Sequence, residues 1–236
     1  MNLILLENSD FITQDTVRVA GRRLKHMAEV LHCAAGMRCK VGVLGGAVGC
    51  GEVLAMTPDY AELRIAVDVP PPPEAEVTLI AALPRPKTYR KLLHAAIAMG
   101  VKKLVMIQTF KVDKSYWASP FLEPGFFAGE ARLALEQAGD TVLPEIAFYR
   151  RFKPFVEDIY PELARGRTAY LAHPAGAAPL PDRPGRPALL VVGPEGGFTD
   201  YEVCCFMDAG ALPVTLGRRT LRTEVALPIL LGRWLR

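Results

Sequence analysis

A run of four consecutive prolines, Pro70–Pro73, divides this 236-residue chain into two stretches of different character. Proline fixes φ and has no backbone N–H to donate, so such a run forms an extended, semi-rigid spacer. We therefore expect one domain over residues 1–69, a proline-rich linker over residues 70–76 and a second domain over residues 77–236. A chain of this length is able to bury a substantial hydrophobic core.

The stretch before the prolines is predicted to be rich in β-strands. Short apolar segments at Lys40–Leu44, Glu52–Met56 and Ala61–Val67 are separated by turn residues. One helix interrupts them, because Arg22–Leu31 carries its apolar residues at helical spacing. The glycine-rich Gly42–Gly51 loosely resembles a nucleotide-binding loop, but strand-like residues flank it on both sides. That context indicates the tip of a hairpin.

After the prolines, strand-like and helix-like segments alternate along the chain. The expected strands are Val77–Leu83, Lys103–Thr109, Ala169–Ala172, Ala188–Val192 and Leu212–Leu216. The expected helices are Tyr89–Met99, Phe121–Ala138, Lys153–Ala164, Asp200–Ala209 and a terminal helix from about Glu224. This alternation is typical of a largely parallel sheet covered by helices, so the predicted fold class is α/β.

Composition narrows the class of protein further. Half of the residues are hydrophobic and 22% are charged, which is too apolar for a disordered chain. No apolar run approaches the ~18 residues that a membrane-spanning helix requires, and the first residues lack the pattern of a secretory signal. The five cysteines are an odd number without a repeating spacing. They indicate reduced thiols in a cytoplasmic protein and no metal site.

The net charge of +3 is a small excess, but basic residues gather in two short stretches. The first contains Arg18, Arg22, Arg23, Lys25 and His26, and the second contains Arg218, Arg219 and Arg222. Either cluster suits contact with phosphate groups. The simpler alternative for each is a solvated helix face or loop.

Two glycine-containing loops near the C-terminus each follow a predicted strand and precede a predicted helix. The first, Val191–Glu202, contains a T-x-x-E capping box formed by Thr199 and Glu202. The second, Val214–Ala226, has Thr223 as its expected N-cap. Because ligands of open α/β sheets sit beyond the carboxyl ends of strands, we expect both loops to frame one crevice. Tight turns that need glycine only for their geometry are the alternative, and neither loop has the Walker spacing of a nucleoside triphosphatase.

These loops carry a resemblance to a known family. Gly193-Pro-Glu-Gly-Gly-Phe-Thr199, followed by Leu216-Gly-x-x-x-Leu-Arg-Thr-Glu-x-Ala226, is similar to the paired signature of the RsmE family of 16S ribosomal RNA uridine-N3 methyltransferases. Weaker agreement extends to Arg23-x-x-His26-x-x-x-Val30-Leu31, to Glu136-Gln137 with Pro144, and to Ala169–His173. The resemblance implies an N-terminal PUA-like β-barrel and a C-terminal SPOUT domain with a deep trefoil knot. It also implies a homodimer formed through the C-terminal domain, S-adenosylmethionine as cofactor, and 16S ribosomal RNA or the 30S subunit as partner.

The resemblance further implies a cofactor crevice made by three loops, at about Leu171–Gly176, Val192–Phe198 and Leu216–Arg222. The candidates for cofactor binding are Leu171, His173, Val192, Gly193, Pro194, Gly196, Gly197, Leu216, Gly217, Leu221 and Thr223. The candidates for RNA binding are those of the first basic cluster, Arg18 to His26.

Methylation of uridine N3 requires an in-line approach to the methyl group and loss of the N3 proton, or stabilisation of the resulting anion. Arg222 is the candidate for stabilising that anion or for gripping a phosphate. Glu195 and Glu224 are candidates for the base, with hydrogen bonds to backbone amides at a helix start as the favoured alternative for both.

The chain departs from the family pattern at several positions outside the two glycine-containing loops. These are His32, Ala95, Ala98, Asp140 and Pro174, together with Pro228, which falls inside the terminal helix and should kink it. Cofactor binding is therefore better supported than the identity of the target. A SPOUT ribose 2′-O-methyltransferase acting on ribosomal or transfer RNA, and an RNA-binding relative without turnover, remain alternatives.

Overall fold

The computed structural model describes residues 3–174, 178–182 and 184–235. The chain divides into two compact units, the first comprising Met1–Pro73 with Arg132–Leu143 and the second Glu74–Ala131 with Pro144–Arg236. The first break follows the proline run on which the predicted domains were based. The grouping of residues 132–143 with the N-terminal residues has no counterpart in the sequence prediction.

The first unit is built on a five-stranded sheet. Its strands are β1 (Ile4–Leu6), β2 (Thr16–Val19), β3 (Arg38–Val43), β4 (Val48–Met56) and β5 (Ala61–Val69). They lie in the order β1-β3-β4-β5-β2, with β1 parallel to β3 and every other pair antiparallel. Strands β3 and β4 form a hairpin, so the glycine-rich Gly42–Gly51 lies at its tip and along its strands, as predicted.

Helix α1 (Gly21–Glu29) carries the first basic cluster except Arg18, which lies in β2, and both arginines of the helix are paired within this unit. Arg22 makes two 2.8 Å hydrogen bonds to the carboxylate of Glu136. Arg23 does the same with Asp10, at 2.5 and 2.7 Å, and these bonds raise the pKa of Arg23. Charge-assisted pairs of this geometry are among the stronger hydrogen bonds in proteins.

The second unit contains a seven-stranded, wholly parallel sheet. Its strands are β6 (Val77–Ala82), β7 (Lys103–Ile107), β8 (Glu145–Tyr149), β9 (Thr168–Ala172), β10 (Ala178–Pro179), β11 (Ala188–Val192) and β12 (Leu212–Thr215). They lie in the order β10-β12-β9-β11-β6-β7-β8. Every residue of β6 and β11 is buried, as expected for the centre of a sheet that is covered on both faces. The predicted α/β class is confirmed.

The helices connect these strands. They are α2 (Pro86–Ala98), α3 (Pro124–Ala138), α4 (Phe152–Pro154), α5 (Tyr160–Ala164), α6 (Asp200–Asp208) and α7 (Thr223–Leu231), with a π-helical turn at Phe155–Ile159 between α4 and α5. The predicted helix Lys153–Ala164 is therefore interrupted, at a point where the chain contains Pro154 and Pro161. No helix in the described part of the chain is long and apolar enough to cross a membrane.

Candidate functional site

A cavity opens at the carboxyl ends of three neighbouring strands, β12, β9 and β11. Parallel strands end at the same edge of a sheet, so the loops that follow them converge there. The lining residues are Ala172, His173, Pro174, Val192, Gly193, Pro194, Glu195, Gly196, Gly197, Phe198, Val214, Thr215, Leu216, Arg219, Thr220, Leu221, Thr223, Ala226 and Leu230. The two glycine loops predicted to share a crevice therefore do so.

Hydrogen bonds hold the first glycine loop in place. The amide of Gly197, whose φ is +70°, donates to the carbonyl of Pro194 at 2.8 Å. This positive φ is a conformation that glycine adopts at no steric cost. The predicted capping box is confirmed, because the amide of Thr199 donates to Glu202 at 2.8 Å and the amide of Glu202 donates to the Thr199 hydroxyl. Helix α6 thus begins directly behind the loop.

The segment after β7 braces the same loop from outside. The amide of Phe110 donates to the buried carboxylate of Glu202 at 2.7 Å. The ammonium group of Lys111 donates to the carbonyl of Gly196 at 2.8 Å and lies 3.5 Å from that of Phe198. A Cβ at position 196 would lie 3.1 Å from the Lys111 stem. Glycine at 196 therefore makes room for the lysine.

The second glycine loop is joined to its neighbours through hydroxyl groups. The Thr215 hydroxyl lies 3.4 Å from the carbonyl of Pro174 and accepts from the amide of Gly217 at 3.1 Å. The Thr223 hydroxyl donates to the carbonyl of Gly193 at 3.4 Å, which links the two glycine loops. The prediction of Thr223 as N-cap is wrong: α7 begins at Thr223, and Arg222 is the capping residue. The Thr223 side chain is buried against the first loop and is therefore not used as a cap.

Nine of the eleven candidates for cofactor binding line the cavity; the exceptions are Leu171 and Gly217. Leu171 is fully buried within β9, one residue before the strand ends. Gly217 lies in the second loop with a φ of +116°. Gly176, at the end of the first predicted cofactor loop, lies outside the described residues.

The three candidates for catalysis have different surroundings. Glu195 lines the cavity, and one of its carboxylate oxygens accepts a 3.1 Å hydrogen bond from the amide of Arg85, which precedes α2. Glu224 is largely buried in the first turn of α7 and lies 3.9 Å from the ammonium group of Lys91. Arg222 is exposed and lies between Leu221 and Thr223, both of which line the cavity. Glu195 therefore has the geometry of the alternative stated above, in which a glutamate accepts a hydrogen bond from a backbone amide at the start of a helix.

The candidates for RNA binding lie in the first unit, and most of them have partners there. Besides the pairs formed by Arg22 and Arg23, Arg18 bonds Glu62 at 2.6 Å and lies 4.3 Å from the centre of the Tyr60 ring. Lys25 lies 3.8 Å from Glu29 one helical turn away. The Nε2 atom of His26 is buried and has no hydrogen-bond partner among the described residues.

Two cations near the cavity were missed as candidates for the ligand site. Lys111 is distant in sequence from both glycine loops, and only the fold brings it to Gly196. Arg219 lines the cavity, but the sequence placed it in one basic cluster with Arg218 and Arg222 and gave no reason to single it out as a ligand residue. Its contact with the cavity depends on the path of an irregular loop, which has no periodicity to reveal which side chains face inward.

Known proteins resemble this chain in both sequence and fold. A curated protein from Treponema pallidum named ribosomal RNA small subunit methyltransferase E is 27% identical, with 96% of this chain and 87% of that protein covered. The crystal structure of a ribosomal RNA small subunit methyltransferase E from Neisseria gonorrhoeae, bound to S-adenosyl methionine, superposes with a TM-score of 0.74. It is 20% identical, over 98% of this chain and 95% of that one. The structure of a putative methyltransferase from Legionella pneumophila in complex with the same cofactor superposes with a TM-score of 0.72. It is 20% identical, over 98% of this chain and 96% of that one.

The profile of a protein family described as RNA methyltransferase domain matches residues 71–235, which is more than half of the chain and includes every residue that lines the cavity. The resemblance read from the two glycine loops is thereby confirmed. This chain belongs to the RNA methyltransferase family.

Proposed function

We propose that this protein uses S-adenosylmethionine to methylate N3 of a uridine in the 16S ribosomal RNA of the small subunit. The observation that carries the proposal is the cavity at the ends of β12, β9 and β11, which is lined by both signature loops in a chain of the RNA methyltransferase family. The curated relative named for small-subunit ribosomal RNA supports the substrate, and the two cofactor-bound neighbours support the cofactor.

The residues present suit an adenosine-containing cofactor. A Cβ at position 193 would lie 3.2 Å from the Phe198 ring, so the loop is closely packed there without any side chain of its own. Loops without side chains let their backbone amides and carbonyls approach the edge of an adenine closely. Apolar side chains, among them Val192, Leu216, Leu221 and Leu230, offer a surface for its ring faces. When bound, the cofactor supplies an electrophilic methyl group.

The protein's own residues then have to position the uridine and stabilise charge. We assign to Arg222, whose sequence neighbours Leu221 and Thr223 line the cavity, the stabilisation of the anion that develops over O2 and O4 as N3 loses its proton. We assign the acceptance of that proton to Glu224, in the first turn of α7. Glu195 has one oxygen engaged by the amide of Arg85, so we assign it a positioning role for the first glycine loop. In-line placement of the acceptor supplies the rest of the acceleration.

Replacing Lys111 with methionine is expected to weaken binding of the product S-adenosylhomocysteine by about three- to tenfold, because the first glycine loop loses a charged donor that holds it. Titration calorimetry measures this effect. Lys114→Met is the matched control, since Lys114 is exposed in the same segment and should leave affinity within about twofold. Equal affinities of the wild type and Lys111→Met would show that the loop does not need this contact.

Several finer features belong to the same proposal. The first unit, with its curled five-stranded sheet, is proposed to be a PUA-like barrel that helps to hold RNA, and the second a SPOUT domain whose chain forms a trefoil knot.

A homodimer through the second unit is supported by α7, which exposes Val225 and Ile229 one helical turn apart. The cytoplasm, where the RNA substrate is found, is the proposed location, and all five cysteines are free thiols.

The decisive experiment is methyl transfer with labelled cofactor to deproteinised 16S ribosomal RNA and, in parallel, to 30S subunits. Mass spectrometry of the digested nucleosides should show 3-methyluridine, and mapping should place it at one nucleotide. A 2′-O-methylated nucleoside would establish the ribose alternative instead. Absence of transfer to either substrate, together with no calorimetric binding of the cofactor, would leave an RNA-binding protein without turnover.

A further inference from the structure

We propose that Arg219 binds the carboxylate of the cofactor's amino-acid moiety, so that the cavity selects adenosine thioethers and sulfoniums that carry an α-amino acid. The inference rests on the proposed function, because it takes the cavity to be the cofactor site. It concerns a residue that the sequence placed only in a basic cluster, and it assigns that residue a ligand group.

The charges around the cavity are few. Most lining residues are glycine, proline, threonine or aliphatic, and the titratable side chains among them are His173, Glu195 and Arg219. Arg219 is the one that carries a positive charge at every physiological pH. The cofactor proposed here has a single negatively charged group, its carboxylate. Opposite charges of this kind attract most strongly where water is partly excluded, as at the mouth of a cavity.

Arg219 has the donors available for such a ligand. It forms no hydrogen bond or ion pair with any other residue that the structure describes, although it lines the cavity. The arginines of α1 differ, since Arg22 and Arg23 each use two nitrogens on a carboxylate of the protein. A guanidinium presents parallel N–H groups that match a carboxylate in a two-bond arrangement. Arg219 is exposed, so it is able to reach a group at the cavity's open side.

Neighbouring cations are less suited to this role. Lys111 donates to the carbonyl of Gly196 and is committed to holding the loop. Arg218 and Arg222 flank the lining residues Arg219 to Leu221 in sequence, but neither lines the cavity. Of these three nearby arginines, only Arg219 is among the residues that line the cavity.

A pair of ligands tests the inference directly. S-adenosylhomocysteine and 5′-methylthioadenosine share adenosine and a thioether, but only the first carries the amino acid. Titration calorimetry should show that Arg219→Met lowers the affinity for S-adenosylhomocysteine about tenfold and leaves the affinity for 5′-methylthioadenosine within about twofold. A tenfold loss is the size expected for one partly exposed, charge-assisted hydrogen-bonded pair. Arg218→Met is the matched control and should change neither affinity.

Two results would overturn the inference. The first is unchanged affinity of Arg219→Met for S-adenosylhomocysteine, and if RNA methylation is lost at the same time, Arg219 acts on RNA. The second is equal weakening of the binding of both ligands, which would indicate a disturbed loop. Failure of the proposed function looks different, because the wild type would then bind neither ligand and transfer no methyl group.

Discussion

Gly49→Ala is expected to destabilise the first unit by about 3 kcal/mol or more. A Cβ at this position would lie 2.0 Å from the carbonyl oxygen of Ala66 and 2.7 Å from the Cα of Val67. Both atoms belong to the backbone of β5, which cannot rotate aside as a side chain does. Gly49 lies where the pairing of β4 with β5 shifts register, so the strands approach closely at this point.

Urea denaturation followed by far-ultraviolet circular dichroism measures the loss, and hydrogen exchange of the β4 and β5 amides assigns it to the first unit. Gly46→Ala serves as the control in the same hairpin. Its Cβ would find its nearest neighbour at 3.5 Å, an ordinary van der Waals distance, so its curve should stay close to that of the wild type. If the Gly49→Ala curve also overlapped the wild-type curve, β4 and β5 would not be packed as described.

Arg222→Ala is expected to lower the rate of RNA methylation about 100-fold or more and to leave the unfolding free energy nearly unchanged. Removal of one preorganised hydrogen-bond donor to a developing anion lowers the catalytic rate by a factor of this order. The side chain is exposed and the residue enters α7 only through its backbone, which alanine preserves, so little stability depends on it. S-adenosylhomocysteine affinity should stay within about threefold, since Arg222 does not line the cavity.

Single-turnover methylation with saturating cofactor separates the chemical step from binding, and thermal denaturation reports stability. Arg165→Ala is the matched control, because Arg165 is an exposed arginine in the second unit that pairs with Glu162, away from the cavity lining. A normal single-turnover rate for Arg222→Ala would remove this residue from the reaction and leave its role to another group.

The sequence predicted the second unit's central elements well, and it did so for physical reasons. Strand β11 occupies Ala188–Val192 as expected, since a five-residue apolar run bounded by proline and glycine suits a fully buried strand. The start of α6 was equally clear because Thr199 and Glu202 determine it through local hydrogen bonds. Elements that depend only on neighbouring residues in this way can be predicted from a short stretch of sequence.

Other elements carried too little pattern to be predicted. Strand β1 has three residues, all buried, and so shows no alternation. Strand β8, Glu145–Tyr149, is only partly buried along its length and has no buried side chain to set a period. The contact between Lys111 and Gly196 joins residues 85 positions apart, and it follows from the sheet order rather than from either segment. Contacts of this kind depend on the order of strands in the sheet, so a short stretch of sequence does not predict them.

The first unit includes Arg132–Leu143, which the ribosome synthesises well after the N-terminal residues of the same unit. The amide of Leu3 donates to the carbonyl of Glu136 at 2.9 Å, Glu7 pairs with Arg132, and the amide of Gly45 donates to the carbonyl of Thr141. A fragment that stops at Pro73 would lack all of these partners, and the ribosome would have to translate past Leu143 before they could form. Truncation of this protein into an N-terminal piece should therefore lower the stability of the first unit, whose buried core cluster itself lies within residues 4–65, and experiments on RNA contact by this unit should use the whole chain.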